Sequence, residues 1–169
     1  MAGGWQPKYI FFWGHRPQKD GVLGKSCFSQ WWPSAFELDG RKYASAEHYM
    51  MAEKARLFGD EASHRAIVQA PTPAEAKKLG ARVGGFSEET WLQHRFDIVV
   101  RGNLARFTQN SELGEFLAKT GDQVLVEASP IDRIWGIGLA EGDPRCQHPE
   151  QWQGLNLLGF ALMEVRSRL

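Results

Sequence analysis

Short apolar runs alternate along this chain with longer stretches in which apolar residues recur every three or four positions. Lys8 to Trp13, KYIFFW, is aromatic and β-branched and stops at Gly14, which predicts a buried strand. Residues 14–25 are polar and glycine-rich and predict a loop. In SAFELDGRKY, 34–43, apolar and polar positions alternate around Asp39-Gly40, a dipeptide suited to a tight hairpin turn. Ser45 is placed to cap a helix over 46–58, and a second helix follows over 60–69. Thr72-Pro73-Ala74-Glu75 joins a capping box to a proline at the first helical position, so a third helix runs to about Arg82. From 88 to 108, Trp91, Phe96, Val99, Leu104 and Phe107 recur with helical spacing and predict a long amphipathic helix. A short helix over 111–119, a strand over 123–128 (QVLVEA) and a closing helix from 155 or 156 to 168 complete the pattern. Between these last two, residues 129–149 carry Gly, Pro and Asp throughout and read as one long loop, of a length that is usually functional or disordered. No repeat, linker or low-complexity segment interrupts the pattern. The expectation is a single α+β domain over residues 1–169, mostly helical, with a small sheet.

One stretch sits awkwardly in this scheme. In SAEHYMMAEKA, 45–55, Glu47 shares a helix face with Met50, Met51 and Lys54, and that face continues to Leu57 and Phe58. Glu53 and Arg56 fall off it. A carboxylate and an amine therefore lie two turns apart on the stripe that should be buried. Spacing alone admits two readings. Glu47 in the first turn is favoured by the helix dipole, and Lys54 can extend its ammonium to solvent over a buried stem. Alternatively, the stripe borders a cleft, where a desolvated carboxyl acts as acid or base beside an amine that holds phosphate or attacks an aldehyde.

Composition narrows the field. With 43% hydrophobic and 24% charged residues in 169, the chain has enough material for one well-packed core. Twenty basic and 20 acidic residues cancel, so no global positive field holds nucleic acid, although a local patch from Lys19, Lys25, Arg41 and Lys42 remains open. No basic-then-apolar leader is seen in the first thirty residues, and no apolar run reaches the roughly 20 residues that cross a bilayer; a cytoplasmic, monomeric protein is expected. Cys27 and Cys146 are read as reduced thiols. Cys146-Gln147-His148 has no matching second pair of ligands, so neither metal nor cofactor is expected. Gly136-Ile137-Gly138 lacks the third glycine and following helix of a dinucleotide fingerprint. Seven tryptophans are many for this length. Trp5, Trp13, Trp31, Trp32, Trp135 and Trp152 fall in extended or irregular segments, and only Trp91 lies in a helical pattern. Loop tryptophans either anchor a core or stack on a ligand.

Several blocks occur in a fixed order: Ile10-Phe11-Phe12-Trp13, Phe28-Ser29-Gln30-Trp31, the stretch 45–55, Asp132-Arg133-Ile134-Trp135-Gly136-Ile137-Gly138, and Gly154-Leu155-Asn156-Leu157-Leu158-Gly159 leading into Leu162-Met163-Glu164-Val165-Arg166. In this combination, which spans about Lys8 to Leu169, the chain resembles the YbiA-like, or NADAR, family. Many members of that family carry Asn where Gln30 stands, Phe-Gln where Met50-Met51 stand, and Lys where Leu155 stands; these departures bear on the substrate more than on the fold.

The resemblance implies hydrolysis of a bond between ribose C1 and a nitrogen. One branch of the family acts on ribosylamino-pyrimidine phosphates of riboflavin synthesis, and another removes ADP-ribose from guanine bases, so the implied partner is a small ribosyl phosphate or an ADP-ribosylated guanine in nucleic acid. Glu47 is then expected to stabilise positive charge on the sugar or to orient water, with Asp132 as second carboxylate. Lys54 binds phosphate or forms an imine with ring-opened ribose. Trp31 and Trp135 stack on a base, Ser29 and Asn156 bond ribose or phosphate, and Phe12 and Gly136 fall in matching blocks at the substrate. Structural roles compete for several of these: Asp132 as a turn former, Asn156 as a helix cap, Trp135 as a cover on the core. His48 reads as structural, and Arg101 and Arg106 as solvated or paired with Asp97 or Glu112. A non-catalytic ADP-ribose-binding module is the alternative from another class. A carboxylate at the centre of an anion site tells against it, because binding alone gains nothing there.

Overall fold

The computed structural model describes residues 6–169; Trp5 lies outside them. Ten regular elements follow one another. They are β1 (Tyr9–Phe12), β2 (Phe36–Leu38), β3 (Arg41–Tyr43), α1 (Ala46–Leu57), α2 (Glu61–Val68), α3 (Pro73–Gly80), α4 (Glu88–Gln109), α5 (Ser111–Ala118), β4 (Val124–Glu127) and α6 (Leu157–Ser167), joined in places by short 3-10 turns. No described helix is long and apolar enough to cross a membrane. The α+β architecture is as expected, but its strands form two separate pairs rather than one sheet. β1 lies parallel to β4, with Tyr9 opposite Val124 and Phe12 opposite Glu127, and β2 and β3 form an antiparallel hairpin.

Local chemistry accounts for the boundaries. Asp39 and Gly40 both take positive φ, 53° and 77°, as a tight hairpin turn requires. The Ser45 hydroxyl accepts from the His48 N–H at 3.2 Å, and Thr72 Oγ1 does the same for the Glu75 N–H at 3.2 Å. The region read as one long loop contains a 3-10 turn, Pro144–Gln147, and a second, Pro149–Gln151, starts at its end, each begun by a proline.

Helix α1 is the hub, packed against α2, α3 and α4. Its residues 46–53 and 55 are all buried, so it is enclosed nearly all round rather than along one stripe. Glu53, read as lying off the buried face, is only 6% exposed and binds Arg56 through a side chain that reaches solvent. Helix α4 approaches α1 closely at Gly102, where a β-carbon would stand 2.5 Å from the Tyr49 ring. Helix α6 packs on β4, and β1 lies on the other side of β4.

One buried cation organises the centre. Arg106 was expected at the surface, but it is 0% exposed and pairs with neither Asp97 nor Glu112. Its guanidinium donates to the carbonyl oxygens of Cys27 at 2.9 Å and Ser29 at 3.2 Å, and to Asn103 Oδ1 at 2.8 Å. Asn103 Nδ2 in turn donates to Gln30 Oε1 at 2.7 Å. Burial pushes the Arg106 pKa down to about 10, still above neutrality, so carbonyl dipoles hold a full charge. Arg101 pairs instead with Asp39 of the hairpin at 3.3 Å. Arg106→Leu strands these acceptors without a donor. It is expected to cost on the order of 3 kcal/mol or more, roughly 6–12 °C in the melting midpoint for a chain of this size, measured by circular dichroism. A loss under about 1 kcal/mol contradicts this account.

Candidate active site

Glu47 occupies the first turn of α1, fixed from both sides. Its backbone N–H donates to the Gln30 carbonyl at 3.0 Å, which ties α1 to the segment held by Arg106. The neighbouring His48 is spent on structure: its ring nitrogens meet Ser45 Oγ at 2.7 Å and the Ala70 carbonyl at 2.9 Å, so Nε2–H donates and Nδ1 accepts. The Glu47 side chain is 5% exposed and takes no hydrogen bond from the described residues. Burial pushes its pKa up to about 7; Asp132 adds to the rise, while Lys77 and Lys54 oppose it.

A second carboxyl, on the strand side, feels its charge. Glu127 is the last residue of β4, and its backbone is clamped: its N–H donates to Asn156 Oδ1 at 2.9 Å and its carbonyl accepts from the Ile137 N–H at 3.0 Å. Oε2 of Glu127 is inaccessible and has no hydrogen-bond partner. Burial raises its pKa to about 8, helped by the charges of Asp132 and Glu47. The loop after β4 returns Asp132 to the same place. Asp132 Oδ1 accepts from the N–H groups of Ile134 at 2.9 Å and Trp135 at 2.8 Å, so the turn-forming role is real as well.

Two amines border these acids. Lys54 is half-buried, with its ammonium 4.7 Å from the centre of the Phe86 ring and 5.7 Å from Trp91. Burial lowers its pKa and Glu47 pulls it back up. Lys77 of α3 lies 6.0 Å from the centre of the Trp31 ring, whose other neighbour is His15 at 5.7 Å. The charges that shift Glu47 are those of Lys77, Asp132 and Lys54, whereas Arg41 of the hairpin acts on Tyr43 and His64.

The structure thus gathers Glu47, Lys54 and Asp132 in one electrostatic neighbourhood, with Trp31 at its Lys77 side. Three residues expected at the substrate do other work. Phe12 is 1% exposed, its ring 5.5 Å from that of Phe28 in the core. Asn156 is fully buried, and its amide is used up on Glu127 N–H and, at 3.0 Å, the Leu125 carbonyl. Gly136 is pressed so near the strand end that a β-carbon would lie 2.8 Å from the Glu127 carbonyl. Ser29 Oγ accepts from the Trp31 N–H at 3.1 Å, which positions that ring. Trp135 is half-buried and packs against the core. Glu127 and Lys77 join the site without belonging to any of the sequence blocks or stripes that point to it. Glu127 had a signal, as the one acid ending an otherwise apolar strand; Lys77 is one of two adjacent lysines on a helix and had none.

Both raised carboxyls make stability fall as pH rises. Their folded pKa values exceed the ordinary carboxyl value near 4.5, so the folded state holds these protons more tightly. That advantage is full below about 4.5 and is lost as pH climbs through about 7 and about 8. Glu47→Gln and Glu127→Gln are each expected to raise the melting midpoint at pH 9 by on the order of 2 kcal/mol, roughly 4–8 °C, with little difference at pH 4. Equal midpoints at both pH values contradict the buried, unpaired environment.

Comparison with known proteins gives consistent matches across the chain. An N-glycosidase of Acanthamoeba polyphaga mimivirus is 44% identical over 164 residues, covering 94% of this chain and 95% of that protein. The chloroplastic riboflavin biosynthesis protein PYRR of Zea mays is 32% identical over 157 residues, which are 85% of this chain and 23% of that protein. The NMR structure of Escherichia coli YbiA superposes with a TM-score of 0.75 at 27% identity, covering 98% of this chain and 86% of that one. Residues 11–169 match the NADAR domain, and the chain belongs to that family.

Proposed function

We propose that this protein hydrolyses the N-glycosidic bond between C1 of a ribose and a nitrogen, in a phosphorylated or ADP-ribosylated compound. The observation that carries the reading is the buried Glu47 carboxyl, unbonded by protein and flanked by Lys54 and Asp132. Such a group costs stability and has no structural return, which marks it as a site for chemistry. The mimivirus and Escherichia coli relatives are named N-glycosidases, in agreement with that chemistry.

As the C1–N bond breaks, positive charge develops on the sugar ring. The Glu47 carboxylate stabilises that charge and takes a proton from the water that adds to C1. Lys54 supplies a balancing cation at a phosphate, or, as the neutral amine that its desolvation favours, condenses with the aldehyde of the ring-opened ribose released by hydrolysis, expelling a water that is taken up again when the imine is hydrolysed. Trp31, steadied by Ser29, offers a ring face to the base, with Trp135 a second stacking candidate. The substrate is a ribosylamino-pyrimidine phosphate or an ADP-ribosylated guanine. A metabolite needs only the cleft. A nucleic-acid substrate also needs contacts beyond it, for which Arg16 and Lys19 beside the exposed Trp13 are positioned on the loop that carries His15.

The test is product analysis by mass spectrometry with both substrates. Wild type is expected to release free base from one of them. Glu47→Gln is expected to lose about 10²–10⁴-fold in rate. Borohydride added during turnover is expected to leave a reduced sugar adduct on wild type and none on Lys54→Met. No release from either substrate, with ADP-ribose still bound, would replace the enzyme with a binding module.

A further inference from the structure

We propose that Glu127 is the acid that protonates the departing nitrogen. This rests on the N-glycosidase reading and assigns a step that reading leaves open. A ribosyl-bound amine or purine nitrogen leaves poorly as an anion, so a proton donor must face it as the C1–N bond breaks.

The acids at the site are not equivalent. Asp132 has Oδ1 engaged as acceptor for two backbone N–H groups, at 2.9 and 2.8 Å, in the turn that follows β4. Glu47 stands in the first turn of α1, where the helix dipole favours a charge, and faces both Lys77 and Lys54. Glu127 has the opposite surroundings. It has no helix dipole, Lys77 is the one cation acting on it, and Asp132 and Glu47 both repel a charge there. Two nearby carboxyls in a desolvated site share protons unequally, and these neighbours put the charge on Glu47 and the proton on Glu127.

Geometry supports the same division. Glu127 is fixed at the strand end by its bonds to Asn156 and Ile137 and by pairing of β4 with β1, so its side-chain direction is set by the fold. Its Oε2 is closed off and lacks any partner, whereas Oε1 is neither closed off nor held by a hydrogen bond, so a substrate nitrogen meets the acid through Oε1. A buried carboxylic acid with no acceptor carries an unused O–H donor, and a substrate nitrogen supplies the missing acceptor.

The step balances. The C1–N electron pair leaves with nitrogen, which takes the Glu127 proton and departs as a neutral N–H compound. The Glu47 carboxylate stabilises the charge on C1, and water adds there and yields its proton to Glu47. Transfer of that proton from Glu47 to Glu127 restores the starting state, and the net reaction consumes one water.

The test uses the full chain and whichever of the two substrates wild type hydrolyses. Wild-type rate is expected to fall above about pH 8, as Glu127 loses its proton. Glu127→Gln is expected to lose about 10²–10³-fold in kcat with KM within about threefold, and to lack that alkaline limb. Glu127→Asp is expected to keep the limb and recover part of the rate, which separates proton donation from a packing role. A p-nitrophenyl ribofuranoside 5′-phosphate, whose leaving group departs without a proton, is run in parallel; the glutamine variant is expected to retain more of its rate on this probe than on the nitrogen substrate. Glu127→Gln within about fivefold of wild type, or an alkaline limb that persists in it, overturns the assignment. Failure of wild type on both nitrogen substrates overturns the N-glycosidase reading instead.

Discussion

The site depends on a charge that never touches it. Arg106 is buried without a carboxylate partner and is held by the carbonyl oxygens of Cys27 and Ser29 and by Asn103. Through Asn103 it reaches the Gln30 side chain, and the Gln30 backbone carbonyl receives the Glu47 N–H. A single guanidinium thus sets the path of residues 27–30, the start of α1 and the position of the Trp31 ring. Arginine suits this task because its planar fork serves several acceptors at once and keeps its proton even when desolvation lowers its pKa.

The strand side of the site is built with equal economy. Asn156, at positive φ of 53°, sews β4 to the first turn of α6 and holds the backbone of Glu127. Gly136 lets the following loop fold back against the strand end, which returns Asp132 beside Glu127. One acid therefore stands at a helix N-terminus and the other at a strand C-terminus, and neither carboxyl takes a hydrogen bond from the described residues. Lys54 and Lys77 temper the resulting repulsion without forming a short ion pair to either acid. That incomplete compensation keeps both groups near neutrality in their proton affinity, which acid–base chemistry on a ribosyl nitrogen demands.

Much of this was legible in the sequence because it follows from local rules. The caps at Ser45 and Thr72, the Asp39-Gly40 turn and the helical period of 88–108 are short-range signals, and the structure bears them out. Glu47 and Lys54 stood out because charge on an apolar stripe violates patterning. What escaped depends on tertiary contacts. Arg106 has the look of an ordinary helix arginine, since nothing near it in sequence shows that the distant carbonyls of Cys27 and Ser29 converge on it. Asn156 and Gly136 sat in motif blocks and were read as touching substrate, whereas they shape the backbone that presents Glu127. The strand ending at Glu127 was recognised, but only pairing with β1 and the return of the 129–138 loop bury that acid beside Glu47.

The central claim is that this site holds two carboxyls whose protons persist toward neutral pH. The most direct measurement is an NMR titration of the glutamate side-chain carboxyl carbons in the folded protein. Two resonances are expected to move with midpoints of about 7 and about 8, one disappearing in Glu47→Gln and the other in Glu127→Gln. If instead both carboxyls titrate near the ordinary carboxyl value of about 4.5, the site is hydrated and compensated, and the account of its acid–base chemistry fails.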